Sequence, residues 1–218
     1  MPDADLEKIA EYALEARKHT NQYSGLNIET DISKQIDELA SSTKFKNPED
    51  LKSFLSEQQL IQNIADNPGN LEALNEAVRV LKNGDEVLLE GKGVLKGDIV
   101  NVTKTESIQY KAFTGTGSKT TTTNLKNAAE QFNTEPAASG YMKIAKLKIL
   151  ESGNPQFSNT VDQLRIKLQG YVDGLVNNGS TESLAIFDNL KALDQIGIDN
   201  ATGLHKFKVV NTLVTIIP

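Results

Sequence analysis

Apolar residues recur at helical spacing through the first third of the chain. Leu6, Ile9, Ala10, Ala13 and Leu14 predict a helix over 3–19. Its end carries Arg17, Lys18 and His19, where the helix dipole favours positive charge. Asp31 can cap a short helix bearing Ile32, Ile36 and Leu39. Asn47-Pro48-Glu49-Asp50 is a helix start: a capping Asn, Pro at the first helical position, then two acids. That helix runs through Leu51, Phe54, Leu55 and Leu60 towards Ala65, and Asn67-Pro68-Gly69-Asn70 breaks it. Residues 1–66 read as wholly helical.

The period changes after Asn70. Leu71, Leu74, Val78 and Leu81 form one helical stripe, with Gly84 at the stop position. Short strands follow over 86–90 and 99–102, separated by the Gly-rich turn 91–97. A third strand, 107–113, alternates strictly: Ile108, Tyr110 and Ala112 face one way, and Gln109, Lys111 and Phe113 the other. The Thr/Gly/Ser segment 114–123 predicts a mobile loop. Asn124 then opens a helix with Leu125, Ala128, Ala129 and Phe132. Residues 141–150 fit both periods and are read as a strand. Helices over 161–176 and 181–196 and one strand over 207–217 complete the chain. The fold class is α/β (α+β), with a helical domain over 1–69 and a mixed-sheet domain over 70–218 flanked by helices.

Composition narrows the chemistry. There is no cysteine, which excludes disulfides, thiol nucleophiles and Cys-ligated zinc. His19 and His205 lie too far apart in sequence to suggest a multi-histidine site. A bound metal would need hard oxygen ligands, which selects Mg²⁺, Mn²⁺ or Ca²⁺. The net charge of −6 is uneven: residues 1–70 carry 7 basic and 13 acidic side chains, and residues 71–218 carry 16 of each. Bulk charge therefore does not advertise nucleic-acid binding. No apolar run reaches the roughly 18–20 residues of a membrane span, and the start has no signal-peptide pattern.

The polar residues of the strands are the candidate chemistry. Asp98 follows Gly97 at the head of the second strand, and Gln109 and Lys111 share one face of the third. A carboxylate and a side-chain carbonyl on neighbouring strands can hold a divalent cation and leave positions open for water and phosphate. A lysine two residues along the same face can stabilise developing negative charge. Each residue alone has a plainer role: Asp98 in a turn, Gln109 and Lys111 on the wet face of a sheet. Glu76 can pair with Arg79, and Glu72 shares its helix face. Glu90 on the first strand is a further candidate ligand. Lys119, Lys126 and His205 are candidate substrate contacts, although scattered solvated lysines give the same pattern as a phosphate-facing patch. The Thr-rich segment lacks the spacing of a nucleotide-binding loop.

In this order, Asn75-Glu76-Ala77-Val78, Gly97-Asp98-Ile99-Val100 and Gln109-Tyr110-Lys111 resemble the PD-(D/E)xK nuclease superfamily, the restriction-endonuclease fold. The helix 124–132 resembles the one that follows the Glu-x-Lys strand there, a likeness that implies Gln131 as a substrate contact, with a solvated Gln as the plainer role. The likeness covers about residues 71–132. It implies a Mg²⁺- or Mn²⁺-dependent endonuclease with Asp98, Gln109, Lys111 and Glu76 as catalytic residues. Metal ligands would come from Asp98, Gln109, Glu76 and Glu90. The whole chain is similar to the C-terminal toxin regions of contact-dependent growth inhibition and related polymorphic bacterial toxins. That likeness implies tRNA or DNA as substrate and a cognate immunity protein as partner. It implies no small-molecule cofactor and no membrane span. It further implies export by a bacterial producer within a larger protein and action in the target-cell cytoplasm; a complete chain would be cytoplasmic. The helical 1–69 would serve uptake or partner interaction. The chain departs from those toxins in lacking a Val-Glu-Asn-Asn boundary motif and in being acidic. Gln109, where Glu is usual, weakens cation binding, and is consistent with a natural Gln branch, a degenerate domain or an engineered change. The alternative function is a restriction-fold adaptor without chemistry that binds a protein partner.

Overall fold

The computed structural model describes residues 38–39, 41–46, 69–91, 94–113, 118–149 and 159–218. Most of the helical segment expected over 1–69 lies outside the described residues. The rest is an α+β fold: a seven-stranded mixed sheet with four helices among the described residues. Helix α1 spans Gly69–Lys82. Strands β1 (Val87–Gly91), β2 (Gly97–Asn101) and β3 (Glu106–Phe113) form an antiparallel meander. Helix α2 (Ser118–Thr134) crosses to β4 (Met142–Ile149), parallel to β3. Helices α3 (Val161–Asn178) and α4 (Thr181–Lys191) cross to β5 (Gln195–Asn200), parallel to β4. Strands β6 (Gly203–Val210) and β7 (Leu213–Ile217) close the sheet antiparallel, so spatial order equals chain order.

The period-two alternation of β3 sorts the molecule into two cores. Ile108, Tyr110 and Ala112 meet Leu74, Ala77 and Val78 of α1, joined by Leu39 and Phe45. Phe113, with Ala145 and Leu147 of β4, meets Leu125, Ala128 and Phe132 of α2 and the inner stripes of α3 and α4. Each fully buried side chain of this size, such as Leu74, Ile99, Leu125 or Phe207, contributes about 1.5–3 kcal/mol. Phe45 pairs with Val87, and the Val87 N–H and C=O bond Lys44 and Lys46, partly covering the outer edge of β1.

Four elements differ from the sequence expectation. Helix α2 begins at Ser118, inside the segment expected as a loop, and Asn124 is an interior residue whose side chain donates to the Thr120 carbonyl. The threonines there have only modest helix propensity, which tertiary packing of the Leu125 stripe overrides. Helix α4 stops at Lys191, capped by Ala192, and 195–200 is strand β5. Leu193 and Ile196 continue the apolar pattern past the helix end, which hides the change of element. Strand β5 is central, so its Ile196 and Ile198 belong to a buried parallel run. The expected strand over 207–217 is a hairpin: Asn211 takes a left-handed backbone, φ 56°, between Val210 and Leu213. Residues 142–149 form a strand, as favoured. No described helix is long and apolar enough to cross a membrane.

Gly97 sets the entry to β2. Its φ is +148°, and a Cβ there would lie 2.8 Å from Ser107 Oγ and 3.3 Å from the Ile108 backbone. Ser107 Oγ itself donates to the Lys96 carbonyl. Gly97→Ala is therefore expected to destabilise the fold by about 1–3 kcal/mol, read as a lower denaturant midpoint at unchanged slope.

Candidate functional site

Asp98, Gln109 and Lys111 converge on the α2 face of the sheet. Register between β2 and β3 ends at Ile99–Ile108. One residue beyond, the Asp98 carboxylate takes over as acceptor: Oδ2 receives the Tyr110 N–H at 2.7 Å and Lys111 Nζ at 3.2 Å. Lys111 Nζ also donates to Gln131 Oε1 at 2.8 Å. Gln131 Nε2 reaches Asp98 Oδ1 at 3.3 Å and Glu135 Oε2 at 2.9 Å. Gln109 Nε2 donates to the same Glu135 oxygen at 3.3 Å. Two strands and the end of one helix thus hold one polar cluster. Glu135 is the first residue past α2, four beyond Gln131, and its N–H still bonds the Gln131 carbonyl, which keeps the two side chains on one side.

Burial pushes the Asp98 carboxyl above its ordinary pKa, against the pull of the Lys111 ammonium and the Tyr110 N–H; Glu135 adds to the upward push. Gln109 is 0 % exposed, and its Oε1 has no hydrogen-bond partner. A buried amide oxygen without a partner costs about 1–3 kcal/mol. Turning the amide over would set that oxygen against the Glu135 carboxylate, so the orphaned oxygen is a consequence of the site's layout. It is a hard donor on the same face as Asp98. Among the described residues there is no cluster of three or more His, Cys, Asp or Glu side chains fit to hold a metal. The oxygen set is instead mixed, carboxylate with amide carbonyl. That set fits Mg²⁺ or Mn²⁺ in kind, since Mg²⁺ commonly takes one or two carboxylates and keeps several waters.

The other sequence candidates lie elsewhere. Glu76 does not join Asp98. Helix α1 covers the opposite face of the sheet, and there Glu76 is bonded by Arg79 and by Lys146 Nζ at 2.6 Å. Glu76 and Lys146 are each 5 % exposed, and Lys146 Nζ lies 5.8 Å from the Tyr110 ring centroid. Burial lifts the Glu76 carboxyl, but bonds from Arg79 and Lys146 outweigh it and hold its pKa below the ordinary range. Burial lowers the Lys146 pKa, with Glu76 opposing. The two partners point opposite ways on whether the pair favours ionisation. The carboxylate decides, because it receives two cationic donors. Nearby, Lys148 Nζ pairs with Asp199 at 2.7 Å, and burial raises the pKa of Glu72.

Gln131, expected as a possible substrate contact, sits at the centre of the cluster. Lys126 points away from it, to Glu130 and Glu182. His205 stands on β6, three strands from β3, with Nε2 2.7 Å from Thr202 Oγ1. Glu90 falls in β1 and Lys119 in the first turn of α2; their side chains lie outside what is described. Glu135 was not among the sequence candidates. The legible signal was its spacing of four from Gln131, masked by Pro136, which marks the helix end. No protein-family model, curated protein or solved structure matches this chain, so any reading of its activity rests on the geometry of its own residues.

Proposed function

We propose that the chain is a divalent-metal-dependent nuclease of the PD-(D/E)xK kind that hydrolyses phosphodiester bonds, with tRNA favoured and DNA as the second substrate. The observation that carries the reading is the convergence of Asp98, Lys111 and the orphaned Gln109 carbonyl on one face. The order helix, three antiparallel strands, crossover helix, parallel strand adds support from the fold. In its biological setting the chain is an antibacterial toxin, exported within a larger protein, acting in the target-cell cytoplasm and blocked by an immunity protein.

Asp98 and Gln109 Oε1 would hold Mg²⁺ or Mn²⁺. Bound there, the ion supplies charge neutralisation at the phosphate and a lowered pKa for a coordinated water. Lys111 supplies a fixed ammonium beside that position. It is held by Asp98 and Gln131, so it can donate to a phosphate oxygen as negative charge develops without first reorganising. Gln131 positions Lys111 and closes the cluster towards α2.

The test is incubation of purified protein with tRNA, total RNA and plasmid, with Mg²⁺ or Mn²⁺ and with a chelator. Cleavage that needs the metal is expected. Absence of cleavage on all three substrates, for wild type and for Gln109→Glu alike, would leave the adaptor as the surviving reading. The feature that favours the adaptor is the internal pairing of Lys111 with Asp98, which already satisfies both charges.

A further inference from the structure

The polar cluster is unbalanced in charge. Asp98 and Glu135 are two carboxylates, and Lys111 is the ammonium between them and α2. Lys111 is engaged by Asp98 and Gln131. Among the described residues, Glu135 bonds two neutral amides, Gln131 Nε2 and Gln109 Nε2, both through Oε2, and pairs with no cation. Its other oxygen has no partner among the described residues. The amide that touches Glu135 is the one whose carbonyl, fully buried, has no partner. One amide group thus carries both a bond to a carboxylate that pairs with no cation and a carbonyl left without a partner. Glu135 is half-buried, so its charge can be hydrated, whereas the carbonyl is fully buried; a hard cation is a ligand that both oxygens can take.

We propose that Glu135, the residue immediately after α2, is the second carboxylate of this site, and that Asp98, Glu135 and Gln109 Oε1 together bind a divalent cation of the Mg²⁺/Mn²⁺ class. The proposal rests on the metal-dependent reading above and assigns its missing ligand. Position 109 then need not carry a carboxylate, because α2 delivers one to the same place from four residues beyond Gln131. Gln109 contributes its carbonyl, and its N–H₂ orients Glu135.

The probe is Mn²⁺, titrated into the full chain and followed by loss of the free-ion electron paramagnetic resonance signal, a readout independent of cleavage. Wild type is expected to bind one Mn²⁺ that Mg²⁺ displaces. Glu135→Gln keeps an acceptor for both amides and removes the charge; it is expected to weaken binding about ten-fold or more, as is Asp98→Asn. The double variant Gln109→Glu/Glu135→Gln moves the carboxylate to the strand and is expected to recover wild-type affinity to within about three-fold. Circular dichroism on each variant identifies any that fails to fold, and the double variant then carries the comparison. If Glu135→Gln, or the double variant in its place, shows that affinity follows Asp98 and not the carboxylate at 135 or 109, Glu135 is no ligand, while the metal-dependent reading stands. If wild type binds no Mn²⁺, that reading itself fails and this proposal with it.

Discussion

Asp98→Asn and Lys111→Met are each expected to lower metal-dependent cleavage by about two to three orders of magnitude, the effect of removing one group that stabilises transition-state charge. The choice of variants follows from the contacts. Asn at 98 keeps an oxygen for the Tyr110 N–H and removes the charge that faces Lys111 and a metal. Met at 111 keeps the apolar stem of the lysine and removes the ammonium bonded to Asp98 and Gln131. Single-turnover cleavage at saturating Mn²⁺ separates the two roles. For Asp98→Asn, part of the loss is recovered by raising metal concentration, because the variant binds metal less tightly. For Lys111→Met, no metal concentration is expected to restore the rate, because in the proposed reaction the ammonium acts on the phosphate and not on the metal. Equal and full activity in both variants would remove the site from the chemistry altogether.

Glu76→Ala is expected to destabilise the protein by about 3–5 kcal/mol, the cost of stranding one member of a buried ion pair. In a chain of this size that lowers Tm on the order of 10 °C. The stranded group is Lys146, whose ammonium is buried near the Tyr110 ring and keeps only the more distant pull of Asp199 among the described carboxylates acting on it. Without the carboxylate its pKa falls further below its ordinary value, so the native state holds fewer protons than the unfolded chain. The deficit of Glu76→Ala should therefore shrink as pH rises from 7 towards 9. Glu76→Leu/Lys146→Met, which replaces the pair by apolar groups of similar volume, is expected to lie within about 1–2 kcal/mol of wild type. In the wild type Glu76 adds a slope of the same sign in a lower, acidic window. The Glu76 pKa is depressed on folding, so its contribution is full above its unfolded pKa and is lost as pH falls through the folded value. Denaturant titrations at several pH values read both slopes. An Ala variant as stable as wild type at pH 7 would show that the pair contributes nothing net.

These two predictions divide residues that sequence order alone had grouped. Glu76 and Asp98 both precede Gln109-Tyr110-Lys111, and the resemblance to a nuclease put them in one site. Helix α1 instead packs on the Tyr110 side of the sheet, so Glu76 meets Lys146 there. Period-two alternation already fixed Gln109 and Lys111 on the opposite side. What the pattern of α1 could not say was which side the helix would cover, because its apolar stripe fits either face.

Several features of the site were determined by sequence alone. Strict alternation over 107–113 placed Gln109 and Lys111 together, since successive side chains of a strand point to opposite faces. The Gly-rich turn over 91–97 put Asp98 at the head of a strand; that Gly97 takes φ +148°, where a Cβ would meet Ser107, is shown by the structure. The Leu125, Ala128 and Phe132 stripe put a helix after β3, and with it Gln131. Tertiary structure decided the rest. It set β5 inside the sheet between β4 and β6, where pairing replaces a helix that apolar periodicity would have continued. It split 207–217 into a hairpin at Asn211, because a second strand buries Val214 against the core. Above all it brought Glu135 to Gln109, 26 residues apart in sequence, across the gap between a helix end and a strand. Local patterns specify which face a residue occupies within its own element. Which faces meet depends on how all the elements bury their apolar sides at once, and that is decided only in the folded chain.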